Sequence, residues 1–309
     1  MKLIKLLPAL FICLLISSCF ISVRAQVKIT LVDPSVTNAS IERVHAPHVI
    51  AYDNHVPSKH KLILMMVGTG GYSTGSRAMD SVFASWGYHV ISLDYENNVI
   101  TTVCSPSVDS TCFDRFRQEI ITGAPVSDKV QVDSTNSLLN RFNCLLRYLV
   151  RNDPSGKWNE FFVGSHPVWN KIISAGHSQG AGHAGYLGKM FQLNRVLMFS
   201  GPQDYLDSLQ KPGAWQSGKS ATPPSRFFAF LHVDDPFNVH HQLADDMKLM
   251  HLSSIDTAMV QPGIPVKAHA QILVNNIATK NAHGSTVSLQ FINVWKYMLG
   301  EAEKKRGLK

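Results

Sequence analysis

The fold is decided by the stretch Lys171-Ile172-Ile173-Ser174-Ala175-Gly176-His177-Ser178-Gln179-Gly180-Ala181-Gly182. It begins as a short apolar run, typical of a buried strand, and ends in small residues that are typical of a helix start. Between them, Gly176-x-Ser178-x-Gly180 predicts a turn so tight that the central serine takes a strained backbone conformation and its side chain stands clear of the sheet. The free amides of the following helix then point at Ser178, which marks it as a candidate nucleophile.

The same pattern occurs a second time, as Gly71-Tyr72-Ser73-Thr74-Gly75. Only three candidate strands precede Ser73, and it does not directly follow a strand. Four candidate strands and a helix precede Ser178. We therefore interpret Ser73 as a surface or helix-cap serine and keep Ser178 as the nucleophile.

The strand, tight turn and helix around Ser178 form the pattern known as a nucleophile elbow. With this elbow the chain resembles the α/β-hydrolase superfamily, over essentially all of Gln26 to Leu299. The resemblance implies an α/β fold with a mostly parallel eight-stranded sheet and helices on both faces. The alternation of predicted strands and helices along the chain agrees with this fold. Apart from the strand of the elbow, the candidate strands are residues 27–32, 48–52, 61–67, 88–93, 195–199, 226–233 and 266–274. Residues 26–300 would form one domain, followed by a basic tail over 301–309.

The resemblance also implies a catalytic triad in the order serine, acid, histidine. A serine needs a base to remove its proton, and the base needs an anion to fix its tautomer. The acid should follow the seventh strand and the histidine the eighth, which selects Asp235 and His283. Asp234 and Asp204 remain open as alternative acids.

The glycine cluster Gly68-Thr69-Gly70-Gly71 follows the third candidate strand. In the superfamily this position supplies half of the oxyanion hole, and the amide after the nucleophile supplies the other half. The expected donors are the amides of Thr69 or Gly70 and of Gln179. His177, next to the nucleophile, is expected to be structural or part of the pocket floor.

The N-terminus resembles a secretory signal peptide over residues 1–25, with Lys2 and Lys5 before a short apolar run and small residues before Gln26. The run is too short for a membrane span. A lipoprotein site at Cys19 is the alternative, which would give a lipid-anchored protein. The preferred expectation is a secreted or periplasmic protein.

Three cysteines follow the predicted leader, and in an oxidising compartment Cys104 and Cys112 are the natural disulfide pair, although the number of cysteines leaves the other pairings open. Cys144 lies in an apolar helical stretch and is expected to be a buried free thiol. The pair lies in residues 96–134, predicted to be the longest irregular segment and a lid or pocket wall. Within it, the side chains expected to form solvated ion pairs are Arg115, Arg117 and Glu119.

The full chain has a formal net charge of +7, but it carries no run of basic residues or interleaved aromatic patch that would indicate nucleic-acid binding. No metal site or cofactor is expected. The predicted function is that of an exported serine hydrolase acting on a small or polymer-derived carboxylic ester. The alternatives are a serine peptidase or amidase of the same fold, and a hydrolase-like protein that only binds.

Overall fold

Nine strands form the central sheet of the computed structural model, which describes residues 27–267 and 269–301. The predicted leader, Cys19 and the tail beyond residue 301 lie outside the described residues. The strands are β1 Lys28–Val32, β2 His48–Tyr52, β3 Leu62–Met66, β4 His89–Ser92, β5 Ile172–His177, β6 Arg195–Phe199, β7 Phe227–His232, β8 Thr257–Met259 and β9 Ile272–Asn275.

The sheet has the strand order β1-β2-β4-β3-β5-β6-β7-β9-β8. Strand β2 is antiparallel to both of its neighbours, and every other pairing is parallel. The carboxyl ends of β3, β5, β6 and β7 therefore meet at one edge, where the loops that follow them are brought together. Two short hairpins lie outside this sheet, Phe162–Val163 with His166–Pro167 and Tyr205–Leu206 with Lys211–Pro212.

The expectation of a mixed α/β fold with a mostly parallel sheet is confirmed, but the strand count of eight is wrong. The additional strand, β8, is a three-residue edge strand whose ends are exposed, so it carries no apolar run that a sequence pattern can detect. The strand expected over 266–274 is shorter and begins at Ile272. His269, expected inside that strand, precedes it and is exposed.

Helices cover both faces of the sheet, as expected. They are α1 Pro34–Thr37, α2 Arg77–Ser85, α3 Cys112–Thr122, α4 Leu138–Asn152, α5 Gln179–Met190, α6 Val239–Leu249, α7 Ala282–Ser285 and α8 Ile292–Met298. Helices α3 to α6 pack on one face, around the larger hydrophobic core, and α2 and α8 pack on the other. Both faces of the central strands are buried, which accounts for their continuous apolar sequences.

Residues 96–134 are not irregular throughout, because α3 lies within them. Its polar residues obscured the helical pattern, since Arg117 and Glu119 are buried with partners instead of facing solvent. Glu119 accepts hydrogen bonds from the amides of Val126, Ser127 and Val132 and so fixes the following loop. Of the three side chains expected in solvated ion pairs, Arg115 is in one, with Asp109 at the surface, whereas the ion pair of Arg117 with Asp204 is buried.

The cysteine predictions are confirmed. Cys104 and Cys112 form a disulfide that ties the segment before α3 to the first residue of that helix. Cys144 is a buried free thiol on α4. Among the described residues, no helix combines the length and apolarity needed to cross a membrane.

Candidate active site

Ser178 lies at the turn between β5 and α5 in a strained backbone conformation. Its φ and ψ are 57° and −123°, values that a residue with a side chain adopts only when its surroundings enforce them. The Ser178 amide donates to the Phe199 carbonyl at 2.9 Å, and the Ser178 carbonyl accepts from the Ala181 amide at 2.9 Å. The end of β6 and the start of α5 therefore hold the turn from both sides.

Two glycines allow this turn because the backbone packs closely on both sides of the serine. A Cβ on Gly176 would lie 2.0 Å from the Gly180 carbonyl oxygen, and one on Gly180 would lie 2.1 Å from the Met66 carbonyl oxygen. Neither backbone atom can move without displacing a central strand or the start of α5. The glycine spacing read from the sequence is thus a packing requirement of the turn.

His283 and Asp235 are directly paired. His283 Nδ1 lies 2.8 Å from Asp235 Oδ2, so Nδ1–H donates to the carboxylate and Nε2 is left available. Burial raises the pKa of Asp235, but the hydrogen bond and charge of His283 and the Phe237 amide outweigh it and hold the pKa below its usual value. The acid stays ionised, as an anion that orients a histidine must.

The backbone of His283 is fixed by two donors. Its carbonyl oxygen accepts from His177 Nε2 at 2.9 Å and from Ser200 Oγ at 2.7 Å. Burial, together with the nearby charge of His283, lowers the pKa of His177 to about 4, so this ring is neutral near pH 7. His177 therefore serves as a support for His283, which agrees with the structural role expected for it.

Ser178 and His283 line the same cavity, whose volume is about 560 Å³. Within the described part of the chain, the hydrogen bond at Ser178 Oγ comes from Gln203 Nε2 at 3.4 Å, and none joins Ser178 to His283. In unliganded sites the bond between a nucleophile and its base is often long and shortens when substrate binds. The structure brings all three expected triad residues to the carboxyl edge of the sheet.

The candidate oxyanion hole retains two of its three expected residues. The Gly70 amide donates to the Asn97 carbonyl at 3.0 Å, so Gly70 is not free to bind an oxyanion. Thr69 lines the cavity, and its hydroxyl donates to Gln179 Oε1 at 2.5 Å. The Gln179 amide is in the first turn of α5, where no earlier carbonyl is available to it. Thr69 and Gln179 are thus the candidate donors.

The alternative acids are placed elsewhere. Asp204 is fully buried and holds Arg117, accepting from its Nε at 2.5 Å, while Trp215 Nε1 donates to the same carboxylate at 2.8 Å. Asp234 makes no hydrogen bond to His283; its amide donates to His232 Nδ1 at 3.0 Å. Of the three candidate acids, Asp235 is the one joined to His283.

Ser73 is neither a surface residue nor a helix cap. It is 1% exposed and its hydroxyl donates to the Pro47 carbonyl at 2.7 Å. That expectation was wrong because the acceptor lies 26 residues earlier and cannot be inferred from the local motif. The hydroxyl is occupied as a structural donor.

Three residues near the site escaped the sequence interpretation: Ser200, Gln203 and Phe237. The first two follow β6 and the third follows β7, at the same sheet edge as Ser178. The Phe237 ring packs 4.7 Å from the His283 ring, measured between centroids. Their positions after parallel strands were the available signal, but a polar or aromatic residue in a loop does not by itself indicate a site.

No family model matches this sequence, and a search of curated proteins gives no significant match. Within residues 27–267 and 269–301, no group of three or more histidine, cysteine or carboxylate side chains is arranged to hold a metal ion. The functional argument therefore depends on the geometry of the site.

Proposed function

We propose that this protein is a serine hydrolase of the α/β-hydrolase superfamily that cleaves a carboxylic ester. The observation that carries the proposal is Ser178, held at positive φ at the start of α5, facing a cavity that it shares with the hydrogen-bonded pair His283 and Asp235. A strained serine, an oriented histidine and a buried carboxylate are the three parts that nucleophilic acyl transfer needs.

In the proposed reaction His283 Nε2 takes the hydroxyl proton as Ser178 Oγ forms a bond to the ester carbonyl carbon. The carbonyl oxygen gains the negative charge and is held by the amides of Thr69 and Gln179. When the intermediate collapses, the bond to the alcohol oxygen breaks and His283 returns the proton to it. Water, activated by the same histidine, then hydrolyses the acyl-enzyme and regenerates the serine. Asp235 orients His283 throughout.

The lining of the cavity favours an ester over a peptide. Apart from the two histidines, its side chains are neutral, and its apolar members include Met65, Val67, Met79, Ile100 and Val287. A peptidase that recognises a chain terminus or a charged side chain needs a counter-charge for it, and the described residues that line this cavity include no aspartate, glutamate, lysine or arginine. An uncharged acyl group fits without burying an unpaired charge.

We also propose that the protein is exported, because the Cys104–Cys112 disulfide suits an oxidising compartment. The choice between soluble export and a lipid on Cys19 stays a prediction, as does the role of residues 96–134 as a lid or pocket wall. Ile100 from that segment lines the cavity, which supports the pocket-wall role.

Turnover of a short activated ester, such as p-nitrophenyl butyrate, tests the function. Ser178→Ala should abolish turnover while leaving the circular dichroism spectrum unchanged. Ser73→Ala is the matched control, since it removes the hydroxyl of the second motif, and its rate should change by less than about tenfold because that serine is structural. A Ser178→Ala protein as active as wild type would exclude Ser178 as the nucleophile, and a folded wild type without turnover would favour a binding role.

A further inference from the structure

A second cavity, of about 410 Å³, lies beside the candidate catalytic residues. Two residues connect it to them. Phe237 lines both cavities and packs against the His283 ring. Gln203 lines the second cavity and donates to Ser178 Oγ. Both cavities therefore lie close to Ser178, and one ligand bound there can reach into each of them.

The two cavities differ in chemistry. The first is lined largely by apolar side chains, whereas the second presents hydroxyls, amides and one carboxylate, from Thr102, Ser105, Gln203, Asn238 and Asp207. Asp207 lies 3.5 Å from His241, measured from its Oδ1 to the histidine Nδ1, and its side chain is 54% exposed, so water can solvate its charge. The remaining polar groups are neutral, which suits a neutral ligand with several hydroxyls better than an ion.

An aromatic surface completes the second cavity. The rings of Tyr205 and His241 stack with centroids 3.9 Å apart and planes 16° apart, and Phe237 stands at the border with the first cavity. The aromatic rings of Tyr205 and Phe237, beside neutral hydrogen-bonding groups, match a molecule with both carbon–hydrogen faces and hydroxyls. A sugar or another polyol has this character, and a simple alkyl alcohol does not.

We propose that the substrate is an ester of an apolar acid with a polyhydroxylated alcohol. This inference depends on the hydrolase function proposed above. The acyl group occupies the apolar cavity beside Thr69 and the alcohol occupies the polar cavity beyond Phe237 and Gln203. The alcohol oxygen then leaves near the edge of His283, where it receives the proton that His283 took from Ser178.

Three esters test the acyl assignment and the alcohol assignment separately: ethyl acetate, ethyl butyrate and glyceryl monobutyrate. The butyryl chain has two more methylenes than the acetyl chain, and each methylene in a fitted apolar pocket is worth about tenfold or more, so kcat/KM should rise by about 100-fold or more. The glyceryl ester should exceed ethyl butyrate by about tenfold, the effect of one or two added hydrogen bonds. Equal or lower activity on the glyceryl ester would overturn the polyol assignment, and a preference for acetate would overturn the acyl assignment.

Two filling variants assign each preference to its cavity. Ser105→Trp should lower the glyceryl-to-ethyl ratio toward one, and Val287→Trp should lower the butyrate-to-acetate ratio. Val108→Trp is the control: it lies in the same segment as Ser105, is 79% exposed and lines neither cavity, so both ratios should stay at wild-type values. If Ser105→Trp is well folded and keeps the full glyceryl preference, the polar cavity is not the alcohol site.

Labelling with a small fluorophosphonate separates failure of this proposal from failure of the hydrolase function. If wild type is labelled at Ser178 but does not prefer the glyceryl ester, the substrate proposal fails and the hydrolase proposal stands. If wild type is folded but is not labelled, both the hydrolase proposal and the substrate proposal fail. The wild-type ratios decide the substrate class even if a tryptophan variant does not fold.

Discussion

Asp235 Oδ2 lies 2.8 Å from His283 Nδ1, and the Asp235 side chain is wholly shielded from solvent. The neighbouring carboxylate of Asp234 makes no such contact, although the two residues differ by one position in the same turn. Adjacent residues after a strand point in different directions, so only one of them can face the histidine. Substituting each aspartate in turn and comparing kcat therefore tests which of the two is the acid.

Asp235→Asn should reduce kcat by on the order of 10³–10⁴, because an amide in place of the carboxylate leaves His283 in the wrong tautomer. Asp234→Asn is the matched control and should retain most of the activity. Steady-state kinetics on p-nitrophenyl butyrate measure both. A larger loss in Asp234→Asn than in Asp235→Asn would mean that the acid has been misassigned.

Gly68→Ala should impair catalysis more than folding. A Cβ at Gly68 would lie 2.8 Å from Ser178 Cβ and 3.3 Å from its Oγ, so the added methyl displaces the side chain of the proposed nucleophile. Misplacing a reacting group by about 1 Å can cost on the order of 10²-fold in rate. Gly218→Ala is the control, because its nearest neighbour would be 3.7 Å away. Normal kcat in Gly68→Ala would show that Ser178 tolerates displacement.

Arg117 should be a positioning residue for the oxyanion donor. Its guanidinium donates two hydrogen bonds to the Asp204 carboxylate and one to the Gln179 carbonyl, the last at 3.1 Å. Arg117 therefore links α3 to the first turn of α5. Arg117→Ala leaves Asp204 buried and unpaired, which should lower the free energy of unfolding by about 3–5 kcal/mol. Urea denaturation measures this loss, and Arg115→Ala, at a surface pair, should cost much less.

A purely structural role for Arg117 can be separated from positioning by its kinetics. Arg117→Lys keeps a positive charge near Asp204 but loses the forked contact. If Arg117 positions the Gln179 amide, the folded lysine variant should lose kcat while keeping KM, since the oxyanion forms only in the transition state. A lysine variant with wild-type kcat would leave Arg117 a role in stability alone.

Asp80 should make stability depend on pH. Burial raises its pKa from 3.8 to about 7, although Ser92 and Ser76 donate hydrogen bonds to it. Between these two values the folded carboxyl is protonated and the unfolded one is ionised. The unfolded state therefore binds fewer protons, and the free energy of unfolding falls as pH rises, by about 1.4 kcal/mol per pH unit from this group.

Asp80→Asn should remove that slope. Urea denaturation at several pH values between about 4 and 7 measures it as the difference between the two proteins. Asp245 and Asp246, whose pKa values burial also raises, contribute equally to both proteins and cancel. Asp128→Asn, at an exposed site, should show the wild-type slope. Parallel slopes in wild type and Asp80→Asn would mean that Asp80 is ionised in the folded protein.

The features that could be predicted from the sequence are those that short stretches encode. The elbow follows from glycine spacing around Ser178, and the central strands follow from continuous apolar runs. Cys104 and Cys112 are close along the chain, so their pairing was visible as well. Asp235 and His283 were selected by the resemblance, which implies an acid after the seventh strand and a histidine after the eighth.

What the sequence did not reveal depends on partners far along the chain. Arg117 can be buried because the carboxylate of Asp204, 87 residues later, forms an ion pair with it. From the sequence alone, where this partner is not visible, Arg117 is interpreted as a surface residue. Gly70 looked like an oxyanion donor until the loop at Asn97 was found to use its amide. The second cavity is assembled from three separate segments, so its polar residues carry no common motif.

The most direct test of the proposed catalytic centre is the intact mass of the folded protein after reaction with a fluorophosphonate, followed by peptide mapping. Only an activated serine displaces fluoride from this reagent. The proposal predicts one adduct, on Ser178, lost in Ser178→Ala and retained in Ser73→Ala. An adduct on Ser73, or a folded wild type with no adduct, would contradict it.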